Sequence, residues 1–212
     1  GVEILYPANY DEFDAMVAAF VERRKGKATE EDARKKLLDE NYFGTMLTYM
    51  GKVDGMVSGA VHSTGDTVRP ALQIIKTKPG VSRTSGAFVM IKEDTKYIFG
   101  DCAINIELDA EGLAGVAVES AKTAKMFGID PKVAMLSFST KGSAKHDLAT
   151  KVEEATKLAH ELDPELALDG ELQFDAAIVE SVGQQKAPGS KVAGNANVFI
   201  FPSLEAGNIG YK

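Results

Sequence analysis

Cysteine is almost missing from this sequence. Cys102 stands alone among 212 residues, which excludes an internal disulfide and fits a reducing compartment. No apolar run approaches the roughly 18 residues needed to span a bilayer, and the first residues lack the charged start and long apolar core of a signal peptide. A cytoplasmic protein is the expectation. Phosphate-loop fingerprints are missing too. "STKGSAK" (Ser139 to Lys145) lacks the G-x-x-x-x-G-K-[ST] spacing, and "AGNIG" (Ala206 to Gly210) is not G-x-G-x-x-G, which argues against an ATPase or a dinucleotide enzyme. His62, His146 and His160 show no metal-ligand spacing, so no metal site is expected. An excess of positive charge is also lacking. The net charge of -7 argues against nucleic-acid or membrane-surface binding.

In so acidic a chain, clustered cations are informative. They occur at "ERRKGK" (Glu22 to Lys27), "KTKPGVSR" (Lys76 to Arg83) and "TKGSAKH" (Thr140 to His146). The rest of the composition, 44% hydrophobic and 26% charged, is that of a globular chain able to bury a core as one large or two small domains.

The hydrophobic pattern gives an order of elements. "VEILYP" (Val2 to Pro7) reads as a short strand, followed by a helix capped by Asn9, with Glu12 three residues on. Phe13, Met16, Val17, Phe20 and Val21 form its apolar stripe. "TEEDARKKLLDE" is a second helix with Thr29 as cap and Asp32 at N3, and "NYFGTMLTYMGK" a third. "DGMVSGAV" reads as a strand, and Asp66 to Lys76 as a helix presenting Val68, Leu72 and Ile75 on one face. "AFVMI" and "KYIFGDCAI", separated by "KEDT", predict a hairpin. A helix runs from Asp109 to Gly128, "KVAMLSFS" and "NVFIFP" are strands, and "LATKVEEATKLAHEL" is a helix between them. Apolar strands joined through helices indicate an α/β fold with a largely parallel sheet covered on both faces. The break at "KTKPG" divides residues 1–79, part of a first α/β lobe, from a second lobe at 80–212.

Ligands of open α/β sheets bind outside the carboxyl ends of the strands. Three such ends are rich in small and hydrogen-bonding residues: "SGAVHSTGD", "SFSTKGSAK" and "FPSLEAGNIG". At the first, Ser63, Thr64 and Thr67 offer hydroxyls, the start of a helix offers free N–H groups, and Arg69 can grip a phosphate. The same residue types also make ordinary turns and caps, and Asp66 alone would cap a helix. Cys102, inside an apolar strand, reads as packing rather than as a nucleophile partnered by His62, itself readable as a base or as a hydrogen-bonded residue of the fold. The Arg23/Arg24 doublet suits a helix C-terminus, and Lys76 and Lys78 suit a solvated helix end. From the residues alone the reading is an α/β protein with an anion-binding cleft.

The stretch "SGAVHSTGDTVRPALQIIKTKPGVSRTSG" closely resembles the phosphate acetyltransferases. So do "FGDCAINIELDAEGLAGVAVESAKTAKMFGIDPKVAMLSFSTKGSA", "LDGELQFDAAIV" and "ANVFIFPSLEAGNIGYK", and the likeness covers essentially the whole chain. The resemblance implies acetyl transfer between acetyl phosphate and coenzyme A by direct thiolate attack, with CoA as a substrate and no tightly bound cofactor. It further implies two α/β lobes around a cleft, an architecture like that of isocitrate and isopropylmalate dehydrogenases, and a homodimer. Arg69 and Arg23 fall at the CoA side; "RRKGK" departs from the family's Arg-Lys-x-Lys-Gly pattern, which leaves Arg24 as the other candidate for the second role. Ser63, Thr64 and the "VSRTSG" loop, with Ser82, Arg83 and Thr84, are candidates for phosphate or carbonyl contacts. The family's general base, an oxyanion donor and the arginine that grips acetyl phosphate are expected beyond Lys212, so no catalytic residue is assigned, and the chain alone is expected to be inactive. Asp66 and Asp101 read as structural acceptors. A non-catalytic acetyl-CoA-binding module and a phosphate butyryltransferase are the alternatives.

Overall fold

Residues 1–79, 81 and 83–212 are described in a computed structural model, in which the chain divides into two units, Gly1–Ser82 and Arg83–Lys212. In the second unit the expected hairpin forms, but its second strand stops at Gly100 instead of running on to Ile104, so Cys102 lies in the bend after it and not in a strand. Strands β1 (Ala87–Lys92) and β2 (Thr95–Gly100) pair antiparallel around the turn residues Glu93 and Asp94. β2 then pairs parallel with β5 (Val198–Ile200), β5 with β3 (Val133–Leu136), and β3 with β4 (Leu168–Leu172). The resulting order is β1-β2-β5-β3-β4, a five-stranded and mostly parallel sheet. Such parallel pairing requires crossovers, and helices supply them.

Strand alternation decides what each face holds. Val133, Met135, Val198 and Ile200 point to one side, where α5 (Ala110–Met126) and α6 (Asp147–Leu162) bring Leu113, Ala117, Val152 and Ala155. Ala134, Leu136 and Phe199 point to the other, against Ala177 of α7 (Phe174–Ile178) and Ala187, Val192 and Ala193 beyond α8 (Glu180–Lys186). Both faces are therefore covered, as the near-continuous apolar strands require. Strand β4 was not foreseen. Its "LDGEL" carries two acids and a glycine, yet Glu171 is buried.

The first unit folds as helices among its described residues. α1 (Phe13–Arg24), α2 (Glu30–Lys36), α3 (Glu40–Tyr49) and α4 (Thr64–Ile74) bury Met16, Phe20, Leu37, Phe43, Met46 and Ile74 together. The stripe on α1 and the Thr29–Asp32 capping box form as expected. Three details differ. Val2–Tyr6 and the region 54–61 form no strand: a strand needs a hydrogen-bonding neighbour, none is described in this unit, and Val2, Ile4, Val57 and Val61 stay exposed. Residues Pro7–Asn9 make a separate 3-10 turn, which leaves Glu12 rather than Asn9 at the start of α1. On α4 the buried side is Pro70 and Ile74, and Leu72 and Ile75 face solvent. Among the described residues no helix is long and apolar enough to cross a membrane.

Candidate functional site

The N-terminus of α4 carries the first group of expected residues. Ser63, not Asp66, is the cap: its Oγ accepts the Asp66 N–H at 3.2 Å and donates to Asp66 Oδ2 at 2.7 Å. Asp66 Oδ1 in turn accepts from Arg69 Nη1 at 2.9 Å. The Ser63 hydroxyl and the Arg69 guanidinium hold the Asp66 carboxyl below the usual range. The structure thus unites Ser63, Asp66 and Arg69 in one exposed chain of bonds. The Ser63 proton is already engaged. Thr64 makes no side-chain hydrogen bond among the described residues, and the guanidinium of Arg69 keeps its other N–H groups free of described partners.

Arg23 lies at the opposite end of the same helix. Its Nε donates to the Ile74 carbonyl at 2.5 Å and its Nη2 to that of Ile75 at 3.0 Å, while the guanidinium sits 5.1 Å from the Tyr49 ring centre. Arg24 donates to the Gln73 carbonyl at 3.3 Å. Both arginines therefore satisfy carbonyls that a helix end leaves open, and their charge suits the negative pole of α4. Lys25, Lys27 and Lys76 gather beside them. The Lys76 ammonium is pushed below its ordinary range, first by Arg23 and then by burial, Lys25, Arg24 and Lys27. Among the described residues no carboxylate lies within ion-pair reach of these five cations. With α4 eleven residues long, its two ends stand roughly 16 Å apart.

In the second unit, Arg83 is exposed and lies 3.9 Å from Asp109, the N-cap of α5; the Thr84 carbonyl accepts from Asn105 Nδ2 at 2.9 Å. Ser82 lies outside the described residues. Asp101 is buried, accepting the N–H groups of Ala103, Ile104 and Asn105 at 3.0 Å each and Asn105 Nδ2 at 2.6 Å. It is a turn-builder, as its position suggested. Cys102 is buried as well, and burial followed by the nearby Asp101 charge pushes its thiol up to about 12. A thiol so shifted presents almost no thiolate at neutral pH and is no nucleophile.

The loop after β3 is built from within. Ser139 Oγ donates to Glu171 Oε1 at 2.8 Å, the Gly142 N–H donates to the same oxygen at 2.8 Å, and Ser139 Oγ accepts from the Ala144 N–H. Thr140 Oγ1 bonds Gln173, and Ser143 Oγ accepts from the Thr140 N–H. The hydroxyls of Ser139, Thr140 and Ser143 therefore serve the loop's own structure. The open ends of β3 and β5 nevertheless frame a cavity of about 610 Å³. Ser137 and Phe138 enter just after β3, Pro202 and Ser203 just after β5, Glu205 from the helix Leu204–Gly210, and Lys151 from α6. Two of the three foreseen strand ends meet there. Ile106, Leu148 and Lys151 were not foreseen; the spacing of Leu148 and Lys151, three apart in the first turns of α6, was the available signal.

Spacing along the chain gave no metal site, but folding gathers Asp39, Glu40 and His62, whose ligand atoms lie within 4.8 Å of one another. Asp39 is the N-cap of α3, its Oδ1 accepting the N–H groups of Asn41 and Tyr42, so this group already has a structural use.

The family described as "Phosphate acetyl/butaryl transferase" matches residues 1–212. The phosphate acetyltransferase of Staphylococcus epidermidis is 70% identical, over 100% of this chain and 66% of that protein. That of Bacillus subtilis is 67% identical over the same shares, 100% and 66%. The solved structure of the EutD phosphotransacetylase from Staphylococcus aureus matches with a TM-score of 0.88 at 67% identity, covering 100% of this chain and 65% of that one. The chain thus spans about 66% of the length of the curated relatives it matches.

Proposed function

The chain belongs to the phosphate acetyl/butaryl transferase family, and on that premise we propose that its protein transfers an acetyl group between coenzyme A and phosphate, with acetyl phosphate as the other substrate. Attack of the CoA thiolate on the acetyl carbonyl needs a base for the thiol, donors for the developing oxyanion and cations for several phosphates. This chain's contribution is the last of these. Cys102 is buried with its thiol raised, so this residue is not suited to carry an acyl group.

The observation that carries the reading is the pair of ends of α4. In a protein of net charge -7, one end offers open N–H groups, the Thr64 hydroxyl and Arg69; the other offers Arg23, Arg24, Lys25, Lys27 and Lys76 without a described carboxylate partner. Coenzyme A carries phosphate at two separated places, a pyrophosphate and a 3′-phosphate, and two cationic sites on one helix suit such a ligand. Arg23 and Arg24 act in two ways at once, closing α4 and adding charge. The acetyl group is favoured over butyryl because the relatives at 67% to 70% identity are named for acetyl transfer.

The test is steady-state kinetics of Arg69→Ala made in the whole protein rather than in this chain alone. The KM for CoA rises by more than that for acetyl phosphate. Equal rises for both substrates remove Arg69 from the CoA site, and an unchanged pair of values removes it from either.

A further inference from the structure

Lys76 follows the end of α4 and takes the left-handed backbone conformation, with φ 70°. Its N–H donates to the Ala71 carbonyl at 2.9 Å, a bond that closes the helix. A lysine at such an end ordinarily turns its ammonium to the last open carbonyls. Here the carbonyls of Gln73, Ile74 and Ile75 are already taken, by Arg24 and Arg23. The Lys76 side chain is exposed, and among the described residues neither a carbonyl nor a carboxylate accepts from its Nζ. Four further cations surround it: Arg23 and Arg24 from the end of α1, and Lys25 and Lys27 from the turn behind them. An amine beside other cations gives up its proton more readily, and the lowered Lys76 ammonium agrees with this. Such an amine is a better nucleophile near neutral pH than one paired with a carboxylate. The cations that depress it also concentrate small anions around it.

We propose that Lys76 is a site of chemical acetylation by acetyl phosphate, which the surrounding cations capture through its phosphate group. The inference rests on the acetyl-transfer reading above only for the source of the reagent, and every group it uses lies in the first unit. In its neutral form, Lys76 Nζ attacks the acetyl carbonyl carbon. A C–N bond forms and the bond from that carbon to the phosphate oxygen breaks. Inorganic phosphate leaves with the electron pair, and the nitrogen gives one proton to water. The amide that results is neutral, so the cluster loses one positive charge. The protein's own acetyl donor would thereby weaken the anion-binding end of α4.

The whole protein is incubated with acetyl phosphate near neutral pH, without CoA, and acetylated lysines are located by peptide mass spectrometry. Lys122, exposed and paired with Glu119, is the reference. Acetic anhydride, an uncharged donor, reports the reactivity of each amine without anion capture. At low salt the Lys76-to-Lys122 rate ratio with acetyl phosphate exceeds the ratio with acetic anhydride by about tenfold. In about 1 M salt, where the screening length is about 3 Å, the excess disappears. The double variant Lys25→Gln/Lys27→Gln lowers the excess severalfold; both side chains are exposed, so packing stays intact. Equal ratios for the two donors overturn the inference. An excess that survives either the salt or the double substitution overturns it as well. Unmodified Lys76 in a protein that still transfers acetyl groups to CoA removes this inference alone. Acetylated Lys76 in a protein without that activity removes the acetyl-transfer reading and leaves the modification site standing.

Discussion

Asp101→Asn tests the most densely bonded side chain of the second unit. The carboxylate is 3% exposed and both oxygens accept: Oδ1 from the Ala103 and Ile104 N–H groups, Oδ2 from the Asn105 N–H and Asn105 Nδ2. Asparagine preserves the shape but replaces one oxygen by an NH₂ group. If its carbonyl takes the place of Oδ1, the amide nitrogen faces two donors and can accept from neither. Hydrogen bonds to charged groups contribute about 1.5–3 kcal/mol each, and a donor left facing a donor adds a desolvation cost. Two lost bonds, eased by relaxation of the turn, give an expected loss of about 3 kcal/mol. The chain contains no tryptophan, so the unfolding is followed in urea by far-ultraviolet circular dichroism. Asp101→Ala removes all four bonds and costs more. An Asp101→Asn variant within about 0.5 kcal/mol of wild type, the range of ordinary surface changes, would refute the turn-building role.

Other expectations follow from close approaches and ionised groups. A Cβ on Gly183 would meet Gly194 N at 2.6 Å, Ala193 C at 2.7 Å and Ala176 O at 2.9 Å, all backbone, so Gly183→Ala lowers unfolding stability by about 3 kcal/mol in the same urea assay. Cys102 resists alkylation in the native chain at neutral pH and reacts on denaturation; rapid native labelling contradicts its burial and raised thiol. Burial acts to raise the Asp169 carboxyl, but hydrogen bonds from Lys141 and Ser190 outweigh it and leave the group lowered. Its stabilisation is therefore present above the unfolded value near 3.9 and is lost as pH falls through the lower folded value. Lys141→Met costs about 1 kcal/mol at neutral pH, because Lys141 is partly solvent-screened, and the difference from wild type shrinks in acid. A difference that grows in acid contradicts this.

The legible parts of the sequence were those where one local pattern decides the structure. The stripe on α1, the Thr29–Asp32 box and the hairpin over 87–100 each depend on neighbours within a few residues, and each formed, the hairpin with a second strand shorter than read. Val2–Tyr6 and the region 54–61 have strand-like composition, but a strand is a property of two segments, and no described segment of that unit pairs with them. β4 failed in the opposite way: Asp169 and Glu171 look like loop residues until Lys141, Ser190 and Ser139 bond them. The site shows the same limit. Small polar residues at strand ends drew attention to Ser63 and to the stretches that hold Ser137 and Ser203, but sequence does not say which hydroxyl is already engaged. Ser63 and Ser139 are engaged by acidic partners, whereas Ser137 and Ser203 retain a proton. Arg23 was read as a solvated helix end or a ligand contact, and its bonds to Ile74 and Ile75, 51 and 52 residues away, were invisible to any local pattern.

Coenzyme A binding through the cations around α4 is the central claim, and calorimetric titration of CoA into the full chain at rising salt tests it most directly. The account predicts binding that weakens steeply with ionic strength, because exposed charges hold the phosphates, and that Arg69→Ala weakens by about tenfold at low salt. Absence of CoA binding, or binding indifferent to both salt and Arg69, would contradict it.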